Sequence, residues 1–363
     1  MGENLAVLVT GSMRSGTSSL AGSLKTLGLH VPQPEVPASP RNPKGHFEPH
    51  WVIRFHKRLL RQALTRPSDG SPKAERRVAE AIEVSGAAAE LATWLAEQTE
   101  PRLVIKDPHA AWLVGTWAQA AEQAGRDLRL LTALRHPAEV VGSQDLTWGH
   151  RRDDDMRRIK ETSNVAAWLN VALVTERSGR GLRRSFIGYQ DLIEDWRASL
   201  GRVSDQLDLG LETDPDRAGH ELDEWLDPSL RRSQISWDDI VVPAWLRDLA
   251  EQTWNQLNLL VADPEDPAAM ARLDDIRTDY EARYAEAAAL TLDEARHRER
   301  LGARNSAAKF RPRVQKQKRR AERAEALALG DSGESGDSGQ PIRRALGQIR
   351  ARSRSGKRDA TNS

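Results

Sequence analysis

The stretch that decides the fold is VLVTGSMRSGTSSLAGSL, residues 7–24. Its apolar start predicts a buried strand, a loop bounded by two glycines follows, and the residues from Thr17 onward predict a helix. This order is typical of anion-binding sites, because loop N–H groups and a helix N-terminus both favour negative charge. The nucleotide-hydrolase loop has a lysine after its last glycine, whereas Thr17 follows Gly16 and a different cation, Arg14, lies inside the loop.

The composition predicts a globular protein with one large domain and additional segments. The chain has 363 residues, of which 39% are hydrophobic and 29% charged. No apolar run reaches the roughly 18 residues of a membrane helix, and the first residues lead directly into the first predicted strand without a signal region. We therefore expect a cytoplasmic protein. The absence of cysteine excludes disulfides, thiolate metal sites and a cysteine nucleophile.

The C-terminal tail differs from the rest of the chain in charge. Residues 296–363 contain 19 Lys and Arg against 7 Asp and Glu, although the whole chain carries a net charge of only +1. The tail includes a basic segment of helical composition and then DSGESGDSGQ, which cannot build a core, so we expect extended or disordered chain from about residue 328. A basic tail could bind nucleic acid or an anionic membrane, but with only Phe310 among the charges a solvated tail is the favoured interpretation.

Short apolar segments alternate with helical patterns through the first two hundred residues. The predicted strands are Leu5–Thr10, Leu103–Lys106, Leu128–Leu134 and Ser185–Tyr189. The predicted helices are Thr17–Leu27, Pro49–Leu64, Ala74–Gln98, Ala110–Ala124, Pro137–Trp148, Met156–Arg177 and Asp191–Leu207. This alternation predicts an α/β fold with a mostly parallel sheet covered by helices on both faces. The strand–loop–helix at its start resembles that of P-loop nucleotide hydrolases, so we expect a P-loop-like fold.

Three segments follow from this organisation. We expect the sheet domain in residues 1–240, accessory helices in 241–300 and a basic, largely disordered tail in 301–363. The accessory helices are rich in Ala, Leu and Glu, a composition that allows self-association or packing on a partner, so an oligomer could form through them.

Polar and charged side chains follow the predicted strands where they end. Arg14 follows the first strand, Lys106 and Asp107 close the second, and Arg135 follows the third. In an open parallel sheet these ends form the ligand-binding edge. The segment ALRHPAEVVGSQ places Arg135 before a helix that carries Ser143, and an arginine and a hydroxyl can hold a phosphate together. Two anion sites on neighbouring strands predict a ligand with two separated phosphate groups; the alternative is that Arg135 only caps a helix or forms a salt bridge.

These motifs resemble those of the sulfotransferases that use 3′-phosphoadenosine 5′-phosphosulfate (PAPS). GSMRSGTSSL is similar to their 5′-phosphosulfate loop, and LRHPAEVVGS to their 3′-phosphate motif. NPKGHFEP, VIKDPH, FIGYQDLIEDW and LDPSLRRS resemble further segments of the bacterial branch of the family. The resemblance covers about residues 5–235 and does not include the tail.

The resemblance implies a set of residues that hold PAPS. Arg14 would supply the cation for the phosphosulfate, and Lys106 would contact the sulfuryl or bridging oxygen. Arg135 and Ser143 would hold the 3′-phosphate, with weaker candidates at Arg231 and Arg232. The other donors are N–H and hydroxyl groups of Ser15, Gly16, Thr17 and Ser18. Because a sulfuryl group carries fewer charges than a phosphoryl group, fixed cations can stabilise its transfer, and we expect no metal.

The acceptor hydroxyl needs a base, for which the sequence offers three candidates. Glu48 is the first, since it follows a proline-rich connection suited to a substrate wall and lies beside the aromatic Phe47. His109 is the second, because the cytosolic branch of the family places its base just beyond a lysine at a strand end. Asp107 is the third.

The favoured function is therefore transfer of a sulfuryl group from PAPS to a hydroxyl of a carbohydrate or a small metabolite. A nucleotide kinase or hydrolase of P-loop fold is the alternative, which the missing loop lysine disfavours. A scaffold without catalytic activity is the third interpretation.

Overall fold

The computed structural model describes residues 4–40, 42–148, 154–214, 216, 219–226 and 235–330. Four strands form one sheet: β1 (Leu5–Thr10), β2 (Arg102–Lys106), β3 (Asp127–Leu134) and β4 (Arg183–Gly188). The sheet order is β2, β1, β3, β4, and all three strand pairs are parallel. The predicted α/β class and parallel sheet are confirmed, and each strand lies within two residues of its predicted bounds.

Helices fill the connections between the strands and continue beyond β4. They are α1 (Thr17–Thr26), α2 (His50–Gln62), α3 (Ala74–Glu83), α4 (Ala87–Ala96), α5 (Val114–Gln123), α6 (Pro137–Trp148), α7 (Asp154–Ser178), α8 (Tyr189–Glu194), α9 (Trp196–Leu207), α10 (Glu221–Trp225), α11 (Ala244–Ala262), α12 (Pro267–Leu290) and α13 (Leu292–Gly330). Among the described residues, none of these helices combines the length and the apolar character needed to cross a bilayer.

Three helices that the sequence predicts as continuous are divided. The predicted helix Ala74–Gln98 is interrupted between α3 and α4, and that over Ala110–Ala124 begins as a separate 3-10 turn, Ala110–Trp112. Asp195 separates α8 from α9, because its side chain accepts the N–H of Ala198 at 3.0 Å and so caps a new helix. Periodicity alone did not indicate these breaks, since the apolar spacing continues across them.

β1 is buried along its whole length, and its side chains alternate between two apolar clusters. Ala6 and Leu8 belong to a cluster with α2, α3, α4 and α5, whereas Val7 and Val9 belong to one with α1 and α9. Each face of the sheet is therefore covered by its own layer of helices. An apolar strand with polar residues only at its ends is what this double burial requires.

The strand order places a topological switch point at the carboxyl end of β1. From β1 the chain moves outward to β2 on one side and then crosses to β3 on the other side of β1. Val9 pairs with Lys106 and Thr10 with Thr132, so β2 ends one residue before β1 and β3 ends two residues beyond it. At this point the connections that follow β1 and its neighbours leave the sheet in different directions. In open parallel sheets, ligands bind in the crevice between such connections.

The helix α11, and α12 up to Ala287, belong to the same compact unit as the sheet. The chain divides into two compact units, Met1–Ala287 and Ala288–Ser363. Within the first unit, α11 and α12 share an apolar cluster with α6 and α7. The boundaries expected at residues 240 and 300 stay predictions. In the second unit α13 extends through residues that the sequence analysis assigned to the tail, while the tail from residue 331 lies outside the described residues.

Gly16 joins the β1 loop to α1 and is constrained in two ways. Its φ is +88°, a left-handed conformation that favours glycine, and a Cβ built on it would lie 2.1 Å from the ring of Tyr189 at the start of α8. Gly28, which follows α1, has a similar φ of +95° with nothing near its Cβ position. The two glycines thus share a left-handed backbone and differ in the space around their Cβ positions.

We predict that Gly16→Ala destabilises the protein more than Gly28→Ala. Gly28→Ala should cost about 1 kcal/mol, the penalty of a left-handed alanine. Gly16→Ala should cost about 1–3 kcal/mol more, because Tyr189 must also move. Urea unfolding of both variants measures the difference. Equal losses would mean that the contact with Tyr189 adds nothing to the backbone penalty.

Candidate active site

The loop after β1 is a compact turn that ends at the N-terminus of α1. The N–H of Ser15 donates to the carbonyl of Ser12 at 3.1 Å, and the carbonyl of Gly16 accepts the N–H of Leu20. No side chain caps α1. The first N–H groups of a helix have no intrahelical acceptor, so an uncapped N-terminus can bind an anion together with its loop.

Arg14 connects this loop to the end of β3. Its φ is +73°, a left-handed conformation that is uncommon for a residue other than glycine. Its Nε donates to the Oγ of Ser143 on α6 at 3.1 Å, and its carbonyl accepts from Nη1 of Arg135 at 3.2 Å. The structure thus brings together Arg14, Arg135 and Ser143, which stand at separate places in the sequence.

Arg135 is buried and held from three sides. Its Nε donates to Glu139, one turn into α6, at 2.9 Å, and its guanidinium lies 4.8 Å from the ring centroid of Tyr189. The alternative that Arg135 forms a salt bridge is therefore observed, and it coexists with the position beside the loop. Tyr189 touches both Gly16 and Arg135, so one aromatic ring positions the loop and the cation.

Lys106 and Glu48 form an ion pair at the end of β2. Lys106 is 2% exposed, and its Nζ donates to Oε1 of Glu48 at 2.5 Å. Phe47, immediately before Glu48, has a φ of +55°, another uncommon conformation outside glycine. Arg14 and Phe47 thus both have a positive φ, and each lies at or next to a charged side chain at this edge of the sheet.

The proline-rich connection is tied to the loop and to itself. Asn42 donates through its side-chain amide to the Oγ of Ser18 at 3.2 Å. The N–H of Val36 donates to the carbonyl of Glu48 at 2.8 Å, which closes the connection just before α2. Together with the ion pair to Lys106, these bonds hold Glu48 at the same edge of the sheet as the β1 loop.

Asp107 lies between two histidines. Its Oδ2 accepts Nδ1 of His56 at 2.8 Å, and its Oδ1 accepts Nδ1 of His109. Nε2 of His56 accepts the indole N–H of Trp117 at 2.9 Å, which fixes the proton of His56 on Nδ1. Nδ1 of His109 is likewise the donor to the carboxylate, so its Nε2 is the nitrogen that can accept a proton.

Burial and hydrogen bonding act in opposite directions on this cluster. Burial lowers the pKa of His56, although the carboxylate of Asp107 opposes this shift. Burial would raise the pKa of Asp107, but the hydrogen bonds from His109 and His56 outweigh it and hold that pKa well below its usual range. The cluster is therefore an ionised carboxylate between two imidazoles. With both oxygens already engaged, Asp107 suits an orienting role better than that of a base.

A cavity of about 640 Å³ opens beside His109. Its apolar lining includes Trp51, Phe55 and Leu60 of α2, and its charged residues include Arg54 and Arg58. The volume falls in the range of about 300–1,000 Å³ that small-molecule sites occupy. Trp51 stacks on Phe55 and on Trp94, with ring centroids 4.9 and 4.8 Å apart, so this wall of the cavity is rigidly packed.

The cavity connects to the ion pair through short stretches of chain. Trp51 follows Glu48 by three residues, and His109 follows Lys106 by three. Side chains alternate along β2: Leu103 and Ile105 face the cluster of α2, whereas Val104 faces that of α1. Lys106 therefore continues the α1 side, where the β1 loop lies, and Asp107 continues the α2 side, where the cavity lies.

Sequence reasoning found most of these residues but missed three partners. His56 could have been suspected because it interrupts the buried stripe of α2. Glu139 could have been suspected because it follows Arg135 by four residues, the spacing of a helical ion pair. Tyr189 lies in the quoted segment FIGYQDLIEDW, at the end of a predicted strand, but its contacts depend on the position of β4 beside β3. The candidates Arg231 and Arg232 lie outside the described residues.

The described residues contain no group of three or more His, Asp or Glu side chains arranged to hold a metal ion. Three cations lie at the ends of the strands, each in contact with a neighbouring protein group: Arg14, Lys106 and Arg135.

Compared with models of protein families and with curated proteins, the sequence gives no match. Among solved structures, the sulfotransferase domain from the Synechococcus PCC 7002 olefin synthase is 19% identical over 71% of this chain and 95% of that domain, with a TM-score of 0.41. The sulfotransferase domain from the curacin biosynthetic pathway is 17% identical over 58% of this chain and 76% of that domain, with a TM-score of 0.34.

Proposed function

We propose that this protein is a PAPS-dependent sulfotransferase that acts on a hydroxyl group. The observation that carries the proposal is the contact of Arg14, Arg135 and Ser143 around a lysine-free loop, with the Lys106–Glu48 ion pair at the end of the next strand. This edge offers cations, backbone N–H groups and a carboxylate within one crevice. A sulfuryl transfer enzyme needs these three kinds of group.

The residues of the β3 end suit a phosphate on the nucleotide. Arg135 and Ser143 lie on adjoining parts of one strand–helix unit and are both buried. The guanidinium of Arg135 lies over the ring of Tyr189, and this contact fixes the direction of its N–H groups. A guanidinium held in one orientation can bind a phosphate with more than one hydrogen bond. We assign these two residues to the 3′-phosphate and the β1 loop with Arg14 to the phosphosulfate.

Lys106 and Glu48 suit the two ends of the transferred group. PAPS supplies a sulfuryl group whose bond to the bridging oxygen breaks as a new bond to the acceptor oxygen forms. Lys106 can stabilise the charge that develops on the bridging oxygen. We assign to Glu48 the proton of the acceptor hydroxyl, since its carboxylate lies within hydrogen-bond distance of Lys106, the residue that we assign to the bridging oxygen.

His109 remains the competing base. Its contact with Asp107 resembles the way a carboxylate orients a catalytic imidazole, and it lines the cavity. Only Glu48, however, contacts the cation that we place at the reacting oxygen. We therefore assign proton transfer to Glu48 and give His109 the task of orienting the acceptor.

The first prediction tests the nucleotide site. Arg135→Ala should weaken the binding of adenosine 3′,5′-bisphosphate by about 1.5–3 kcal/mol, the range for a hydrogen bond to a charged group. It should weaken the binding of adenosine 5′-monophosphate much less, because that ligand lacks the 3′-phosphate. Isothermal titration calorimetry of both ligands with wild type and with Arg135→Ala gives four affinities. Together they form a thermodynamic cycle that isolates the interaction between Arg135 and the 3′-phosphate.

A second variant controls for the loss of the ion pair with Glu139. Arg135→Ala/Glu139→Gln removes both partners and leaves no carboxylate without its cation, and it should show the same selective loss. ATP with Mg²⁺ should not displace the bisphosphate from the wild-type protein. Equal weakening of the bisphosphate and the monophosphate would exclude Arg135 from the 3′-phosphate site.

The next prediction tests the base. Glu48→Gln keeps the size and a hydrogen-bonding oxygen but cannot take up the proton, so turnover should fall by roughly 10²- to 10⁴-fold. His109→Asn should reduce turnover much less and should mainly raise the KM of the acceptor. The measurement is transfer from radiolabelled PAPS to a panel of sugars and phenols, followed by a pH–rate profile with the best acceptor.

The profile distinguishes the two residues because only the variant that lacks the base should lose the acidic limb. The acidic limb should disappear in Glu48→Gln and persist in His109→Asn. The opposite ranking of turnover, with an unchanged limb in Glu48→Gln, would assign the base to His109. Bisphosphate binding serves as the folding control for both variants and should stay within about threefold of wild type.

A further inference from the structure

The outer face of α2 carries four cations at the edge of the cavity. They lie at positions that are three or four residues apart: Arg54, Lys57, Arg58 and Arg61. Residues at these spacings are neighbours on a helix surface, and like charges there destabilise the helix. This arrangement therefore reduces the stability of α2, and a ligand of opposite charge would offset that cost.

Protein carboxylates neutralise only a small part of this charge. Arg58 pairs with Glu90 of α4, which also lines the cavity. Within the described part of the chain, Arg54, Lys57 and Arg61 form no ion pair. All three are exposed, so their charges act on the solution at the mouth of the cavity. On α3, by contrast, the exposed Arg76 pairs with Glu80, four residues further along the helix.

The remaining lining of the cavity is apolar and aromatic. Trp51 and Phe55 form a stacked surface, with their ring planes 13° apart, and Leu60 and Pro67 extend the apolar lining. His109 contributes the imidazole whose Nδ1 is held by Asp107. A ligand that satisfies this cavity has an apolar or ring-shaped body and at least one acidic group, with a polar group directed towards His109.

We propose that the acceptor is an amphipathic anion, a hydroxyl-bearing molecule whose apolar body lies on Trp51 and Phe55 and whose acidic group is held by Arg54, Lys57 and Arg61. This inference rests on the proposed sulfotransferase function and names the class of its acceptor. It excludes neutral sugars as preferred acceptors. A neutral sugar has no acidic group for the cations and too little apolar surface to cover Trp51 and Phe55.

Two probe molecules of equal shape and different charge test this inference. They are 6-hydroxy-2-naphthoate and its neutral amide, 6-hydroxy-2-naphthamide. The proteins are wild type and the pocket variant Arg54→Gln/Lys57→Gln. The control variant is Lys316→Gln/Arg319→Gln, which removes one lysine and one arginine at the same spacing from the exposed surface of α13, in the other compact unit. Calorimetry on the full chain measures the dissociation constants.

We expect wild type to bind the carboxylate at least about tenfold more tightly than the amide, as for a close interfacial charge pair. The pocket variant should lose most of this preference, and the control variant should keep it. High salt should reduce the preference in wild type because the charges are exposed. Equal affinity for the two probes, an equal loss in the control variant, or no binding of either probe would each overturn the proposal.

A parallel titration separates this proposal from the proposed function. Adenosine 3′,5′-bisphosphate should bind the wild-type, pocket-variant and control proteins alike, since the nucleotide site uses none of the substituted residues. Normal bisphosphate binding without selectivity for the carboxylate would overturn the acceptor class alone. Selectivity for the carboxylate without bisphosphate binding would overturn the sulfotransferase function and, with it, the role of the anion as an acceptor.

Discussion

The double burial of β1 is the constraint on which the rest of the structure depends. Hydrogen bonds to β2 and β3 occupy both edges of this strand, and apolar clusters cover both of its faces. No polar group can be placed along it without a buried partner. Its polar neighbours therefore collect beyond its carboxyl end, at the point where the chain must leave the sheet. The crevice that results contains Arg14, Lys106 and Arg135.

The end of β2 shows how one strand can serve two sites. Lys106 and Asp107 are consecutive, and the alternation of side chains sends them to opposite faces of the sheet. Lys106 meets Glu48 on the side of the β1 loop, whereas Asp107 meets His56 and His109 on the side of α2. A donor held by the loop and an acceptor held in the cavity would meet across this strand end.

Charge and apolar surface are distributed differently in the two sites. In the crevice each cation is held by a neighbouring protein group: Lys106 by Glu48, Arg135 by Glu139 and Arg14 by Ser143. Such contacts fix the direction of a side chain before a ligand arrives, which lowers the entropy lost on binding. On α2 the cations are exposed and mostly without protein carboxylates, so they attract an anion without fixing its orientation. The first arrangement suits catalysis and the second suits recognition.

The sequence by itself determined the strands, the loop after β1 and the ends of the strands that carry charge. These features are local: an apolar run, a pair of glycines and the polar residue that follows a strand can be recognised within about ten residues. For the same reason Arg14, Lys106 and Arg135 were predicted at one edge of the sheet. Glu48 was a candidate from its neighbours alone.

Only the tertiary structure decided which of these residues meet. His56 and Asp107 are 51 residues apart in the chain and Arg14 and Ser143 are 129 apart, so no local pattern could pair them. The course of α11 and α12 was likewise decided by packing, because an apolar stripe shows that a helix is covered without showing by which element. Contacts between distant segments depend on the order of strands in the sheet, and that order is a property of the whole chain.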